Sequence, residues 1–544
     1  MPLPTKANVS RPEAWGYDAL IEFGPTDADS LYLRVAAGPG RQARFDTVDP
    51  QQKGPSTSAT PEDMRPESGE IFSRSNFSGG EGLDRAHRRD STERDWTRFW
   101  DSRNIDITPA RAGQAEEIKL LHSTSLLRAV DVAGIQRSAL VRLGGALYGV
   151  ISDDTQVDRT ADPTATTPTW TVEDPHAGQP VEPIRDLASL GDELYAAFDT
   201  SGIHKRDAAG TWTHWSDQDA HRIWGVKGRI LSAKGTTLYE AGATTTSTLL
   251  HTLASGETWN DVVDAGGAIL AAASDGYIYA FVETDGVLSL KGQTRTEGEV
   301  PTALGYAQGL VFIGTSEDTT AGGKIGRLWR ALLIGLRLRE AQVLRQWGDG
   351  TETRDRSPKR IISTREAIWT ALIEDGTETH LWRYHLETGG LVRDLILGAS
   401  SVAEGLAVFD DRLFVNLTSS GLYREDTTYA SSGYLIGPLA DFYNAAPKAW
   451  MGARLQTGSV PSGAQVVLAY STDPAAIEDS THSSWTNIIT ATNASPGDST
   501  ETPISDVQSR YLAGKLTLTP DGTNANTPSA LAYAFRGLPL PTED

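Results

Sequence analysis

Between Arg137 and Tyr434 short apolar runs alternate with polar turns, and one phrase recurs seven times. A turn pair opens it and small or apolar residues follow, as in Gly145-Ala146-Leu147-Tyr148-Gly149-Val150, Asp192-Glu193-Leu194-Tyr195-Ala196-Ala197 and Gly267-Ala268-Ile269-Leu270-Ala271-Ala272. The apolar third residue falls at Leu147, Leu194, Ile230, Ile269, Val311, Ile368 and Leu413, at spacings of 36 to 57 residues. That fits a repeat of roughly 40 residues with insertions. A second phrase follows each polar turn: Ile203-His204-Lys205-Arg206, Leu238-Tyr239-Glu240, Ile278-Tyr279-Ala280, Leu328-Trp329-Arg330, Leu381-Trp382-Arg383 and Leu422-Tyr423-Arg424, with a weaker Val157-Asp158-Arg159 in the first repeat. Alternation bounded by Gly, Asp and Thr marks half-buried antiparallel strands.

An apolar strand, a tight turn and a second strand centred on an aromatic is how a propeller blade reads. Such a blade cannot bury both faces alone and must pack on neighbours. The expected fold is therefore all-β, with a seven-bladed β-propeller over 118–434, in preference to an irregular sandwich. The β-like Leu126–Val132 precedes the first repeat, so it is expected to close the ring by pairing with the last blade. Ala196-Ala197 and Ala271-Ala272-Ala273 are expected on the crowded strands nearest the axis. The apolar run Ala331–Leu338 predicts an elongated outer strand pair and a contact to another subunit.

The flanks differ. Residues 14–35 predict two strands around a polar turn, and 39–69, rich in Pro, Gln, Ser and Thr, an extended arm. Gly79-Gly80-Glu81-Gly82 follows no apolar strand and precedes no Lys-Ser/Thr pair, which argues against a phosphate loop. Residues 1–117 thus read as an N-terminal docking segment with an arm. Its aromatics Trp15, Tyr17, Phe23, Phe72, Phe77, Trp96, Phe99 and Trp100 are too many to leave in water. They are expected against the propeller's side or, preferably, a neighbouring subunit. Residues 435–544 predict a separate antiparallel β-sandwich, from strand-like runs near 465–471, 485–490, 511–518 and 529–538 with Pro461, Pro474, Pro496, Pro503 and Pro528 in the turns.

Composition narrows the function classes. The 544 residues carry 49 Lys and Arg against 71 Asp and Glu, a net charge of −22. An acidic chain does not suit nucleic acid or an anionic membrane as partner. There are no cysteines, hence no disulfides or thiol chemistry. No apolar run approaches a membrane span, and no basic-then-apolar leader opens the chain, so a soluble protein without membrane insertion or a signal of its own is expected.

Catalytic signatures are missing: neither His-Glu-x-x-His nor Gly-x-Ser-x-Gly occurs. His380 and His385 differ by an odd number on one predicted strand and point to opposite faces, so they do not share a metal. The acidic pairs Asp153-Asp154, Glu317-Asp318, Glu374-Asp375 and Asp410-Asp411 fall in predicted turns, where capping explains them. No catalytic, cofactor-binding or metal-binding residue is expected, and no cofactor. Glycan contact is the remaining candidate, at Trp485, Trp450 and Tyr470, though Trp450 and Tyr470 lie in alternating runs that suit a core.

Gly437-Pro438-Leu439-Ala440-Asp441-Phe442, Lys448-Ala449-Trp450, Val460 through Asp473 and Thr527 through Pro539 resemble the sandwich that closes minor tail proteins of long-tailed bacteriophages. Phe72-Ser73-Arg74 and Trp96-Thr97-Arg98-Phe99-Trp100 are similar to those proteins' entry segment. The resemblance implies a structural virion protein of the tail tip or baseplate, assembled in the host cytoplasm. It also implies several copies around the tail axis, other tail or baseplate proteins as partners, and host-surface glycan as a further one. The alternative from another class is a propeller glycosidase that degrades polysaccharide, or a lectin. Three or more acidic side chains converging in the propeller channel would favour the enzyme.

Overall fold

The computed structural model describes residues 19–23, 31–35, 45–48, 70–82, 97–108, 117–131 and 139–540, less 297, 321, 349, 374–377, 399–400, 441–446, 496 and 498–500. The chain divides into two compact units, Met1–Gly69 and Glu70–Asp544. Within the first, Ala19–Phe23, Leu31–Val35 and Phe45–Val48 form one antiparallel sheet. Its third strand falls inside the stretch read as an arm.

The second unit is all-β. From Leu140 onward, four-stranded antiparallel sheets follow one another in chain order. The first runs Leu140–Leu143, Ala146–Gly149, Val157–Thr160, Thr171–Glu173, and the second Asp186–Leu190, Glu193–Ala197, Ile203–Arg206, Trp212–Ser216. The third is Arg222–Val226, Arg229–Lys234, Thr237–Ala241, Thr248–Thr252, and the fourth Trp259–Asp264, Ile269–Ala273, Tyr277–Thr284, Val287–Arg295. The fifth is Val300–Ala307, Leu310–Asp318, Lys324–Ile334, Arg337–Trp347, and the sixth Ile361–Ser363, Ala367–Ile373, Thr379–His385, Leu391–Leu397, extended to six strands by Gly80–Glu81 and Arg98–Phe99 in parallel. The next holds Ala403–Phe409, Arg412–Leu417 and Gly421–Tyr429, and takes its fourth strand, His122–Ala129, from ahead of the first sheet. The leading strand of each sheet touches the leading strand of the next, and Ala403–Phe409 returns to touch Leu140–Leu143. A closed cycle of sheets in contact through their first strands is a β-propeller.

The recurring phrases are the second and third strands of these sheets, one place further from the axis than expected. Each is preceded by an innermost strand such as Asp186–Leu190 or Trp259–Asp264. The alanines at 196, 197 and 271–273 are buried nonetheless. They lie between neighbouring sheets, where a larger side chain has no room.

Beyond Tyr429 two sheets enclose one core. One is ordered Thr486–Thr492, Gln465–Ser471, Leu512–Thr519, Gly433–Ala440, Asp101–Arg103. The other is ordered Thr502–Ser509, Lys448–Thr457, Ala530–Pro539, Glu117–Leu120, Ile105–Thr108, and Glu70–Arg74 also pairs with Ala530–Pro539. Strands from 70–120 thus complete sheets whose other members follow residue 433, so the hydrogen bonding does not respect a division at 117. The same applies to the aromatics. Phe72, Phe77 and Phe99 are buried with Trp450, Leu455, Leu468 and Tyr533 of this chain, not reserved for a neighbouring subunit. Each contributes about 1.5–3 kcal/mol by leaving water. Trp15, Tyr17 and Trp96 lie outside the described residues.

Candidate functional site

Carboxylates on the innermost strands tie the sheets together around the axis. Asp261 on an innermost strand accepts from Trp224 Nε1 of the preceding sheet at 3.1 Å and from Leu304 N of the following one at 2.9 Å. Arg360 lies 3.3 Å from it. Asp186 accepts from Ile223 N at 3.2 Å and faces Arg222 at 3.3 Å. Each carboxylate stitches one sheet to its neighbours. Glu404 joins Asp186, Arg222 and Arg360 around a channel cavity of about 10 Å³. Asp186 and Asp261 are thus engaged as struts, and the gap that Asp186 and Glu404 line is too small for a sugar. A wider cavity of about 470 Å³, lined by Arg222, Asn260, Asp318, Asp355, Lys359 and Glu404, opens beside it.

The larger cavity, about 640 Å³, opens where the sixth and seventh sheets meet the strands Ile105–Thr108 and Glu117–Leu120. Its lining includes Asp106, His122, Trp369, Arg383, Asp394, Glu425 and Tyr429. Arg383 reaches Asp106 at 2.5 Å and Asp394 at 3.9 Å. Trp369 Nε1 donates to the other oxygen of Asp394 at 2.9 Å. Glu425 accepts from Leu413 N at 3.2 Å and sits 3.1 Å from His122 Nδ1, whose ring stacks on Tyr429 at 4.7 Å.

One guanidinium serves two carboxylates here, and a third is close. Burial pushes the Asp394 carboxyl up to about 6; Arg383 draws it back, while Glu425 and Asp106 add to the rise. Arg383 is held above its ordinary value because its two carboxylates outweigh its own desolvation. The two shifts agree once the pairing is uneven: the shorter contact goes to Asp106, and Asp394 is left partly uncompensated. Nearby, burial and then the Arg383 charge bring His385 down to about 4, which keeps it neutral.

The same seam continues outward. Glu81 meets Arg345 at 2.8 Å and Arg393 at 3.4 Å, and both guanidiniums lie over the Trp382 ring, at 4.1 and 5.3 Å. Arg393 also faces Asp101 at 3.4 Å, and Arg103 reaches Glu378 at 2.5 Å. The glycine run at 79–82 serves this seam. Gly80, at φ +81°, pairs in parallel with Leu391. A Cβ there would stand 2.4 Å from the Leu391 oxygen, so only glycine allows the approach.

The residues expected to meet glycan are dispersed. Trp450 is buried in the two-sheet core, its Nε1 donating to Ser509 Oγ at 2.9 Å. That removes it as a sugar platform, because an alternating strand turned its ring inward. Tyr470 packs half-buried against the same core. Trp485 is half-buried, donates to the Asp479 carbonyl at 3.0 Å and carries the Lys515 ammonium 4.9 Å over its ring. Of the turn acids, Glu374-Asp375 lies outside the described residues. Glu317 and Asp318 lie not in a turn but at the end of the strand Leu310–Asp318, where Glu317 pairs with Arg327 at 2.6 Å; Asp153 caps Thr155 N at 2.7 Å. Among the described residues no cluster of His, Asp and Glu could hold a metal ion. His380 turns to Glu378, at 3.1 Å.

No family model and no curated protein matches this chain. Among solved structures it is similar to the WD40 repeats of RRP9, at 12% identity and TM-score 0.41 over 56% of this chain and 98% of that one. It is similar to the WD40 β-propeller domain of Doa1, at 12% and 0.38 over 55% and 96%. A computationally designed protein, Ika8, gives 11% and 0.37 over 56% and 99%.

Proposed function

We propose that this chain is a non-enzymatic structural component of a bacteriophage tail tip or baseplate. Its seven-bladed propeller and C-terminal β-sandwich work as one bracket on which other tail proteins assemble. The observation that carries the bracket is the seam. The segment 70–120 contributes strands to both sheets of the C-terminal body and pairs with the sixth sheet through Gly80 and Leu391. Glu81, Asp101 and Asp106 are ion-paired to propeller arginines along the same line. A hinge between the two lobes would have to break these pairs together, so rigidity is the property the chain is built for. The place in a virion comes from the resemblance of the entry segment and the closing sandwich to minor tail proteins. Partners are other tail proteins, with host-surface glycan contact as an added duty, and the protein travels with the particle after assembly in the host cytoplasm.

Immunogold electron microscopy with antibody raised against the purified chain tests this. Gold at the distal end of phage tails is expected, and particles of the producing phage that carry none would overturn it. A glycan array and a panel of polysaccharides test the added duty: binding without cleavage is expected, and release of reducing ends would favour a glycosidase.

A further inference from the structure

The fourth and fifth sheets end in hairpins longer than their neighbours', Tyr277–Thr284 with Val287–Arg295 and Lys324–Ile334 with Arg337–Trp347. They lie side by side. Leu338 N donates to Thr294 Oγ1 at 3.0 Å, and a Cβ at Gly292 would meet the Leu336 oxygen at 2.4 Å. In a chain of net charge −22, the stretch 324–347 carries six basic residues and one acid, Glu340. Lys324, Arg327 and Arg345 are spent on internal ion pairs. Lys291, Arg295, Arg337 and Arg339 are exposed, and among the described residues none of them pairs with a carboxylate. At the tips Val287 is 61% and Ile334 53% exposed. The rim is basic on balance, with Glu283 and Asp285 exposed beside Val287 and Glu340 beside Arg339, and its tips are apolar; it calls for an acidic surface that offers apolar contact.

Such a surface exists on this chain, across the axis. Residues 153–219, spanning the first and second sheets, hold fourteen acidic residues against four basic. Asp158 is buried, Asp186 faces the axis, and Glu173, Glu193 and Asp199 pair with Arg206, Lys205 and Arg185, which leaves the rest for the surface. Asp162, Asp174, Asp192 and Asp217 are exposed, and beside them Val172 is 44% and Val181 70% exposed. We infer that the basic rim of one copy docks on the acidic first and second sheets of another, head to tail. The two surfaces differ and lie on opposite sides of the ring, so each copy keeps one of each free, and the contact propagates into a ring or a filament. Charge attraction selects the pairing and the tips desolvate on docking. The inference goes beyond the proposed function and does not depend on a virion: it concerns only this chain meeting itself.

Sedimentation of the full chain at 20 and 500 mM NaCl, over a range of concentrations, tests it. At low salt the weight-average mass is expected to rise from the monomer's 58.5 kDa to at least about twofold, and at high salt to return to monomer. Arg337→Glu with Arg339→Glu should stay monomeric, as should Asp174→Lys with Asp192→Lys. Mixing the two variants should restore association, because each retains the surface the other lost; a misfolded variant could not do this. A wild-type chain monomeric at every concentration in low salt overturns the inference, as does association that survives both charge reversals. A monomer that instead binds duplex DNA at low salt would reassign the rim to nucleic acid and overturn it as well.

Discussion

Replacing Asp394 by asparagine isolates the proton held at the seam. In the folded protein this carboxyl is pushed up to about 6, against 3.8 as its ordinary value, because it is buried with no more than a shared guanidinium and the Trp369 Nε1–H to compensate. Its side chain is 6% exposed, so solvent does little to soften the penalty. The folded state therefore binds a proton more tightly than the unfolded state between about pH 4 and 6, and stability falls as pH rises through that window. A difference of roughly two pH units corresponds to about 3 kcal/mol. The cost is absent below pH 4, where both states hold the proton, and complete above about pH 6. The substituted amide keeps an oxygen to accept from Trp369 and carries no charge. Urea denaturation of both proteins at half-unit steps from pH 4.0 to 7.5, followed by tryptophan fluorescence, should show the variant gaining on the wild type by about 3 kcal/mol across the range. Two stability curves that run parallel would refute the reasoning, since the buried carboxyl would then titrate alike in both states.

Ala272→Phe should overpack the space between the fourth and fifth sheets and cost about 1–3 kcal/mol; an unchanged melting temperature would count against that placement. Arg383→Met strands Asp106 and Asp394 without their cation and should cost about 3–5 kcal/mol at pH 7, with a smaller loss at pH 5, where Asp394 is protonated; equal losses at the two pH values would contradict the uneven pairing. Asp261→Ala removes an acceptor shared by Trp224, Val262 and Leu304 and should destabilise by about 3–5 kcal/mol, read by thermal denaturation. In that variant hydrogen exchange should quicken in three consecutive sheets; protection lost in the fourth sheet alone would argue against the stitching role.

What is legible in the sequence is local. The second and third strands announce themselves because each buries apolar residues beside a tight turn, as in Gly267 through Ala280. The innermost strands do not. Arg222–Val226 and Asp186–Leu190 begin on charged residues that face the axis, and a pattern search for apolar runs passes over them. Phe72 and Phe99 read as residues in need of burial, yet nothing near them in sequence says that their cover lies in Trp450 and Tyr533. The site is illegible for the same reason. His122 and Glu425 are 303 residues apart, and Asp106 stands 277 from Arg383. A carboxyl whose proton depends on partners so distant reads, in one dimension, as an ordinary strand aspartate. The strand Lys448–Thr457 is the opposite case: its alternation alone points Trp450 inward.

Closing the ring with a strand from ahead of the first sheet has a temporal consequence. His122–Ala129 leaves the ribosome early, but its partner Gly421–Tyr429 is among the last propeller segments to be made. The strands of 70–120 wait longer still, for Gly433–Ala440 and Ala530–Pro539. At about 5–20 residues per second, translation leaves His122–Ala129 open for roughly 15–60 s and Glu70–Arg74 for up to about 90 s. Meanwhile the intervening sheets can form one after another from neighbouring residues. The newborn chain is thus an open crescent with sticky N-terminal strands, and its most vulnerable moment to mispairing with another nascent copy falls just before the last hundred residues emerge.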